Sequence, residues 1–114
     1  MKTVYICSKF CGTTKKFYIR ANIYCRFAWE KGYLPLAPRN IIFQFLDDEL
    51  KDERQKGFEL SFDLMEYCSE FWVIGEDITK NMAMEIEHAK ELEKKIVFFN
   101  SELEETDGRY IREA

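Results

Sequence analysis

The sequence FWVIG, residues 71–75, and the segment ITKNMAMEIEHA, residues 78–89, that follows it carry the clearest structural pattern in the chain. Four β-branched or aromatic residues in a row predict a short buried strand, which ends at the glycine. Either Asp77 or Thr79 can cap a helix that begins there and runs to about Lys94. A strand followed directly by a helix is typical of a βαβ unit, in which the next strand lies parallel to the first.

The alternation of strand and helix continues on both sides of this stretch. β-branched and aromatic runs predict the strands, and apolar spacings of three and four predict the helices. The predicted strands are Thr3–Cys7, Tyr33–Ala37 and Ile96–Phe99, and the predicted helices are Lys15–Lys31 and Lys51–Tyr67. The order β-α-β-α-β-α-β predicts an α/β fold, in which helices cover both faces of a parallel four-stranded sheet.

Four segments of the sequence allow more specific structural predictions. Pro35 removes a ladder hydrogen bond, so we expect the second strand at an edge of the sheet. The continuous apolar run of the last strand is typical of a strand that is buried on both faces. We expect residues 38–50 to be irregular. Residues 101–114 are expected to form an acidic tail, with at most a short helix, after a domain of residues 1–100.

The composition excludes several classes of function. The 114 residues form one domain, and 46% apolar residues supply its core. A net charge of −4 leaves no basic excess for binding double-stranded nucleic acid. No apolar run reaches the ~20 residues that span a bilayer, and the N-terminus lacks the features of a signal peptide. We therefore expect a cytoplasmic protein with no membrane partner.

The four cysteines have spacings that fit no zinc site, and the single His88 has no second histidine beside it. We expect reduced thiols that pack as small apolar side chains, and no metal site.

The helix after the central strand places one carboxylate on its apolar face. At 100° per residue, Glu85 falls between Ala89 and Leu92, whereas Glu87 and Glu91 point away from that face. Burying a carboxylate costs free energy unless it is paired or faces a cleft, so Glu85 is a candidate functional group. The structural alternative is a glutamate at the edge of the face that reaches solvent or bonds to a neighbouring loop.

The loop from Ser8 to Thr14 joins the first strand to the first helix. Its hydroxyls and backbone amides suit an anion such as phosphate, although neither G-x-G-x-x-G nor G-x-x-x-x-G-K-[ST] is present. An ordinary turn is the alternative. With flavodoxin-like strand order, a ligand would lie between this loop and the loop after Ile74.

Two helices are apolar on a second side. Ile23 and Phe27 in the first helix, and Leu60 and Leu64 in the second, lie away from the main apolar faces. Either the long aromatic segment of residues 38–50 covers them, or a second copy of the chain does. We expect a homodimer or a higher homo-oligomer.

Taken together, the sequence resembles the nucleoside 2-deoxyribosyltransferase-like superfamily, and within it a branch of small domains from bacteria and their phages. The similar segments agree in order and spacing up to residue 100. They are VYICS (4–8), YCRFA (24–28), GYLPLAP (32–38), QFLDD (44–48), CSEFWVIG (68–75) and ITKNMAMEIEHA (78–89).

The resemblance implies a flavodoxin-like Rossmannoid domain, a three-layer sandwich, with no metal and no organic cofactor. In the enzymes of the superfamily, the glutamate early in the helix after the third strand attacks the anomeric carbon of a nucleoside, and that position is Glu85. The residues expected to hold the nucleoside or nucleotide are Ser8, Gly12, Thr13, Arg39, Gly75, Asn81 and Met82. The chain departs from the usual pattern at Ser69, Asn81 and Arg39, where Asp, Gly and His are common in relatives.

The sequence is compatible with three functions. The first is transfer or hydrolysis at the N-glycosidic bond of a nucleoside or nucleotide. The second is a catalytically silent module that binds a nucleotide in the same cleft. The third is a phage or mobile-element protein that binds a protein partner through an aromatic and acidic surface.

Overall fold

Five strands form the main sheet of the computed structural model, which describes residues 1–9, 15–109 and 112–113, with the backbone alone at 15–18 and 112–113. They are β1 (Lys2–Ser8), β2 (Tyr33–Leu36), β3 (Glu70–Ile74), β5 (Lys95–Phe99) and β6 (Glu105–Thr106). Their order is β2-β1-β3-β5-β6, in which the first four are parallel and β6 is antiparallel to β5. Two short strands, β4 (Asp77–Ile78) and β7 (Arg112–Glu113), pair separately.

Helices connect these strands and cover both faces of the sheet. They are α1 (Lys15–Glu30), α2 (Pro38–Phe45), α3 (Lys51–Met65) and α4 (Lys80–Glu91). The α/β class, the helices on both faces and the flavodoxin-like strand order predicted from the sequence are confirmed. The edge position of β2 is confirmed as well, because this strand pairs with β1 alone.

The alternation of side chains along the strands divides the core into two layers. Val4 and Ile6 of β1 pack with Trp72 and with Ala28 of α1 on one face. On the opposite face, Tyr5 and Cys7 pack with side chains of β3, α3 and α4, which include Phe71, Met65, Met82 and Ile86. Neighbouring residues of β1 therefore face different helices.

The prediction that residues 38–50 are irregular is wrong for the first part of that segment, which forms α2. Pro38 occupies the first turn, where its fixed φ suits a helix and its missing N–H costs nothing. Arg39, Ile42 and Phe43 are buried on one side of this helix. These three residues form the inner face of α2, whereas Ile41 and Phe45 are exposed on its outer side.

The prediction of four strands is also wrong, since β6 adds a fifth. Its residues lie in the segment expected to be an acidic tail with a short helix; instead, Glu105 and Thr106 pair antiparallel with Phe99 and Phe98. β5 is half-buried along most of its length, so the prediction that it is buried on both faces is wrong. The division into residues 1–100 and a tail stays a prediction.

Within the part of the chain that the structure describes, no helix is both long enough and apolar enough to cross a lipid bilayer.

Candidate active site

Glu85 lies in the second turn of α4 and is turned into the protein. Thr79 caps the start of the helix, since its side-chain oxygen accepts a hydrogen bond from the backbone N–H of Met82 (3.1 Å). This cap fixes the start of the helix, and hence the face on which Glu85 lies. Glu85 is 1% exposed, and Ile86 and Ala89 are buried with it. The inward orientation predicted from the helical angles is confirmed.

Two side chains from other elements hold the Glu85 carboxyl group. The Tyr5 hydroxyl of β1 donates a hydrogen bond to Oε2 at 2.5 Å. The Arg39 guanidinium of α2 donates to Oε1 through Nη1 at 3.5 Å and forms a buried ion pair with the carboxylate. Each oxygen therefore has its own donor, and three elements that are distant in sequence meet at this group.

Arg39 is itself positioned by aromatic rings. Its guanidinium carbon lies 5.9 Å from the ring centre of Phe43 and 5.5 Å from that of Phe58. Such contacts stabilise a cation that is withdrawn from water. The guanidinium group of Arg39 thus lies beside the Glu85 carboxylate as its buried counter-charge.

Tyr5 was missed by the sequence analysis, which treated it as part of a strand. It is fully buried and stacks on Phe71 with 5.1 Å between ring centres. A buried tyrosine hydroxyl normally needs a hydrogen-bond partner, and this requirement is the signal that could have drawn attention to Tyr5. The identity of that partner depends on how α4 packs on β1, which a single sequence does not specify.

The burial of this cluster changes its protonation equilibria. Burial raises the pKa of the Glu85 carboxyl, and the charge of Arg39 and the hydrogen bonds from Tyr5 and Arg39 reverse only part of that rise. Burial, followed by the nearby Glu85 charge, holds the pKa of the Tyr5 hydroxyl and of the Cys7 thiol well above their usual values. Tyr5 is therefore a neutral hydrogen-bond donor at neutral pH.

A small hollow lies beside Glu85, at the carboxyl end of β1. It is lined by Ile6, Ser8, Ala37, Arg39, Asn40 and Glu85, and its volume is about 10 Å³. This is about the room that one water molecule needs. The structure thus brings Ser8, Arg39 and Glu85 together as the sequence analysis expected, and adds Asn40.

A larger cavity of about 260 Å³ lies at the same edge of the sheet, and it shares no lining residue with the hollow. Its lining includes Lys9, Arg20, Tyr24, Gly75 and Glu76. Ser8 and Ile74 are paired residues of β1 and β3, so the chain segments that follow them are neighbours. Gly75 has a φ of +107°, which favours glycine, although a Cβ there would meet open space. The space between the loop after Ser8 and the loop after Ile74, where the sequence predicts a ligand, therefore contains a cavity.

The remaining predicted site residues lie elsewhere. Met82 is fully buried in the core beneath α4, and Asn81 lines a separate cavity of about 440 Å³ with Lys51, Arg54 and Phe58. The structure does not bring these two residues to the Glu85 hollow. Gly12 and Thr13 fall outside the described residues. Among those that are described, no group of three or more His, Cys, Asp or Glu side chains is placed to hold a metal ion.

Residues 2–99 match the sequence profile of the family described as Domain of unknown function (DUF7768). The chain belongs to this family. The match runs from the start of β1 to the end of β5, so the Tyr5–Glu85–Arg39 cluster lies within the DUF7768 domain. A comparison with curated proteins finds no match.

Among solved structures, the DUF7768 chain is similar to 2-deoxyribosyltransferase from the psychrotolerant bacterium Bacillus psychrosaccharolyticus, which is described as a biocatalyst for nucleoside synthesis. The TM-score is 0.60 and the identity 17%, over 86% of this chain and 72% of that chain. At this identity, the similarity shows a shared fold. The fold implied by the sequence resemblance is thus confirmed.

Proposed function

We propose that this protein acts at the N-glycosidic bond of a nucleoside or nucleotide, with Glu85 as the nucleophile. The observation that carries the proposal is the buried carboxyl group of Glu85, held at the carboxyl end of β1 by one donor on each oxygen. Ligands of open parallel sheets bind at this edge. The shared fold with a 2-deoxyribosyltransferase agrees with a nucleoside as the substrate class.

In the proposed reaction, a carboxylate oxygen of Glu85 attacks the anomeric carbon of the sugar. The bond from that carbon to the base nitrogen breaks as the bond to the carboxylate oxygen forms, and the base leaves with the electron pair and takes a proton from water. Water, or the nitrogen of a second base, then attacks the same carbon and releases Glu85. This second step decides between hydrolysis and transfer.

Tyr5 and Arg39 have different parts in this chemistry. Tyr5 holds Oε2 at 2.5 Å and fixes the orientation of the carboxyl group. The Arg39 contact is longer, at 3.5 Å, so Oε1 is the oxygen that is more easily released for attack. Since the hollow of about 10 Å³ is far smaller than a sugar ring, a substrate has to displace the Arg39 side chain. In this proposal, the rest of the substrate occupies the cavity of about 260 Å³ at the same edge of the sheet.

The second candidate function is a silent module that binds a nucleotide without turnover. The size of the hollow and the buried Arg39–Glu85 ion pair favour it, because both keep the carboxylate engaged inside the protein. In this case the cavity beside Gly75 is the binding site, and Glu85 serves to hold α2 against α4.

The two functions are separated by incubating the protein with a panel of deoxynucleosides, ribonucleosides and their 5′-phosphates, and by measuring free base with liquid chromatography. Catalysis predicts that the wild type releases base and that Glu85→Gln lowers the rate by about 10³-fold or more. Glu87→Gln is the matched control, because Glu87 is exposed on the same helix. Saturable binding without base release supports the silent module. If the protein binds none of these compounds and releases no base, both proposed functions are contradicted.

A further inference from the structure

A cavity of about 330 Å³ lies between α1 and α2, beside the edge strand β2. Each helix contributes three residues spaced i, i+1 and i+4, which share one face of a helix. They are Ala21, Asn22 and Cys25 of α1, and Asn40, Ile41 and Gln44 of α2. The last two residues of β2, Pro35 and Leu36, form the remaining side together with Ala37.

This cavity adjoins the hollow beside Glu85 without including Glu85. Ala37 and Asn40 line both spaces, whereas Glu85 and Arg39 line the hollow alone. The cavity shares no lining residue with the cavity of about 260 Å³ beside Gly75. It is therefore a space to which the function proposed for Glu85 assigns nothing.

The apolar part of the lining is accessible to a ligand. Pro35, Leu36 and Ala37 are half-buried and Ile41 is 60% exposed, so each keeps surface that a bound molecule can contact. A volume of 300–1,000 Å³ with a mainly apolar lining and a few polar groups is typical of sites for small molecules.

The polar part of the lining carries no charge. None of the described residues that line the cavity is acidic or basic. Burial raises the pKa of the Cys25 thiol, which is therefore neutral at neutral pH. An ionised ligand would lose solvating water here without gaining a counter-charge, so the lining favours a neutral ligand.

The polar groups are the carboxamides of Asn22, Asn40 and Gln44. Gln44 Nε2 donates a hydrogen bond to the backbone carbonyl of Asn40 at 3.0 Å. The side chains of Asn22 and Asn40 form no hydrogen bond with the residues that the structure describes. A carboxamide carries a donor and an acceptor side by side, which is the complement of the CO–NH edge of a cyclic amide.

We propose that this cavity binds a flat, uncharged cyclic amide of the size of a pyrimidine base. The ring lies against Pro35, Leu36 and Ile41, and its CO–NH edges pair with the carboxamides of Asn22 and Asn40. The site does not depend on the activity proposed for Glu85, because Glu85 is not part of its lining.

The probe for the test is uracil, compared with two molecules that share its ring. In 1,3-dimethyluracil methyl groups replace both N–H donors, and orotate adds a carboxylate. We expect uracil to cause saturable NMR shifts of the side-chain amides of Asn22 and Asn40 and of the backbone amide of Leu36. The side-chain amides of Gln55 and Asn81, which line another cavity, should not shift. Dimethyluracil and orotate should each bind at least about ten-fold more weakly, because one loses its hydrogen bonds and the other has no counter-charge.

Asn22→Leu and Asn40→Leu keep the approximate shape of the side chain and remove its carboxamide. Each should weaken uracil binding about five-fold, the effect of one lost hydrogen bond, whereas Gln55→Leu should leave it unchanged. Both variants are expected to fold, because leucine is the better helix former and neither asparagine is buried. Glu85→Gln should bind uracil as the wild type does.

Equal binding of dimethyluracil or orotate, shifts centred on residues outside the cavity, or no saturation by about 10 mM overturns the proposal. Loss of uracil binding in Glu85→Gln also overturns it, since the ring would then lie at the Glu85 hollow. Shifts of the Asn22 and Asn40 side-chain amides on dilution without ligand do the same, because a second copy would then fill the cavity. A failure to release base from nucleosides contradicts only the catalytic function proposed for Glu85.

Discussion

The hydrogen bond from the Tyr5 hydroxyl to Glu85 is removed by the substitution Tyr5→Phe. The substitution leaves a buried carboxyl oxygen without its donor, so we expect a loss of about 1–3 kcal/mol in the free energy of unfolding. Because that hydrogen bond lowers the pKa of Glu85, the pKa should rise further in the variant. Urea unfolding measures the first effect, and carbon NMR titration of the Glu85 carboxyl group measures the second.

The control for this substitution is Tyr67→Phe, since Tyr67 is 78% exposed. An unchanged Glu85 titration in Tyr5→Phe would show that the hydroxyl does not hold the carboxyl group in solution.

The two buried glutamates should make opposite contributions to the pH dependence of stability. The pKa of Glu85 is raised in the folded protein above its ordinary 4.5, so its contribution is fully present below 4.5 and is lost as pH rises through the folded-state value. Burial alone would raise the pKa of Glu70, but hydrogen bonds from Trp72 and Tyr33 and the charges of two nearby lysines outweigh it and lower the pKa. The contribution of Glu70 is therefore present above 4.5 and is lost as pH falls through the folded-state value.

Urea unfolding of the wild type, Glu85→Gln and Glu70→Gln from about pH 3 to pH 8 measures this difference. The stability that the wild type gains over Glu85→Gln should shrink with rising pH, and the gain over Glu70→Gln should grow. Parallel curves for the two variants would contradict the assignment.

At the scale of helices, the packing of α2 on α3 determines where Arg39 lies. A Cβ built on Gly57 of α3 would overlap the far end of the Phe43 ring, with Cε1 2.8 Å away. The same ring supports the Arg39 guanidinium. The glycine in this helix is thus explained by the close approach of the Phe43 ring rather than by its own conformation.

Gly57→Ala should therefore destabilise the protein by about 1–3 kcal/mol, although alanine is the better helix former by about 1 kcal/mol. The displaced ring should also change the titration of Glu85, because Arg39 moves with it. Lys56→Ala, an exposed substitution one residue earlier, should have little effect on either measurement. A stabilised Gly57→Ala variant would show that the ring moves aside without cost.

The same helices show what sequence patterns can and cannot predict. The four parallel strands were predicted from their β-branched and aromatic runs, and α4 and the inward position of Glu85 from helical periodicity. Helix α2 was missed, since a proline and a run of aromatic residues were interpreted as a loop, although proline suits the first turn of a helix. The sequence patterns did not predict that Tyr5 and Arg39 bond to the Glu85 carboxyl group, because these contacts join residues that are 80 and 46 positions apart.

At the scale of the whole molecule, the homo-oligomer expected from the sequence stays a prediction. Leu60 and Leu64, two of the residues that suggested it, are 40% and 38% exposed, so α2 does not cover them. Ile41 and Phe45 lie four residues apart on α2 and are 60% and 65% exposed. Single exposed apolar side chains are ordinary, but pairs at helical spacing on neighbouring helices form the kind of surface that a second copy buries.

Sedimentation velocity over a range of protein concentrations should therefore show a dimer or a larger species. Replacing both Ile41 and Phe45 by Lys should shift the equilibrium towards monomer if α2 contributes to the contact, while far-ultraviolet circular dichroism stays unchanged. Exposed positions tolerate such changes within about 0.5 kcal/mol, so a loss of assembly would not reflect unfolding. A wild type that sediments as a monomer at every concentration would contradict the prediction. In that case the exposed apolar side chains on α2 and α3 would be in contact with solvent rather than with a second copy of the chain.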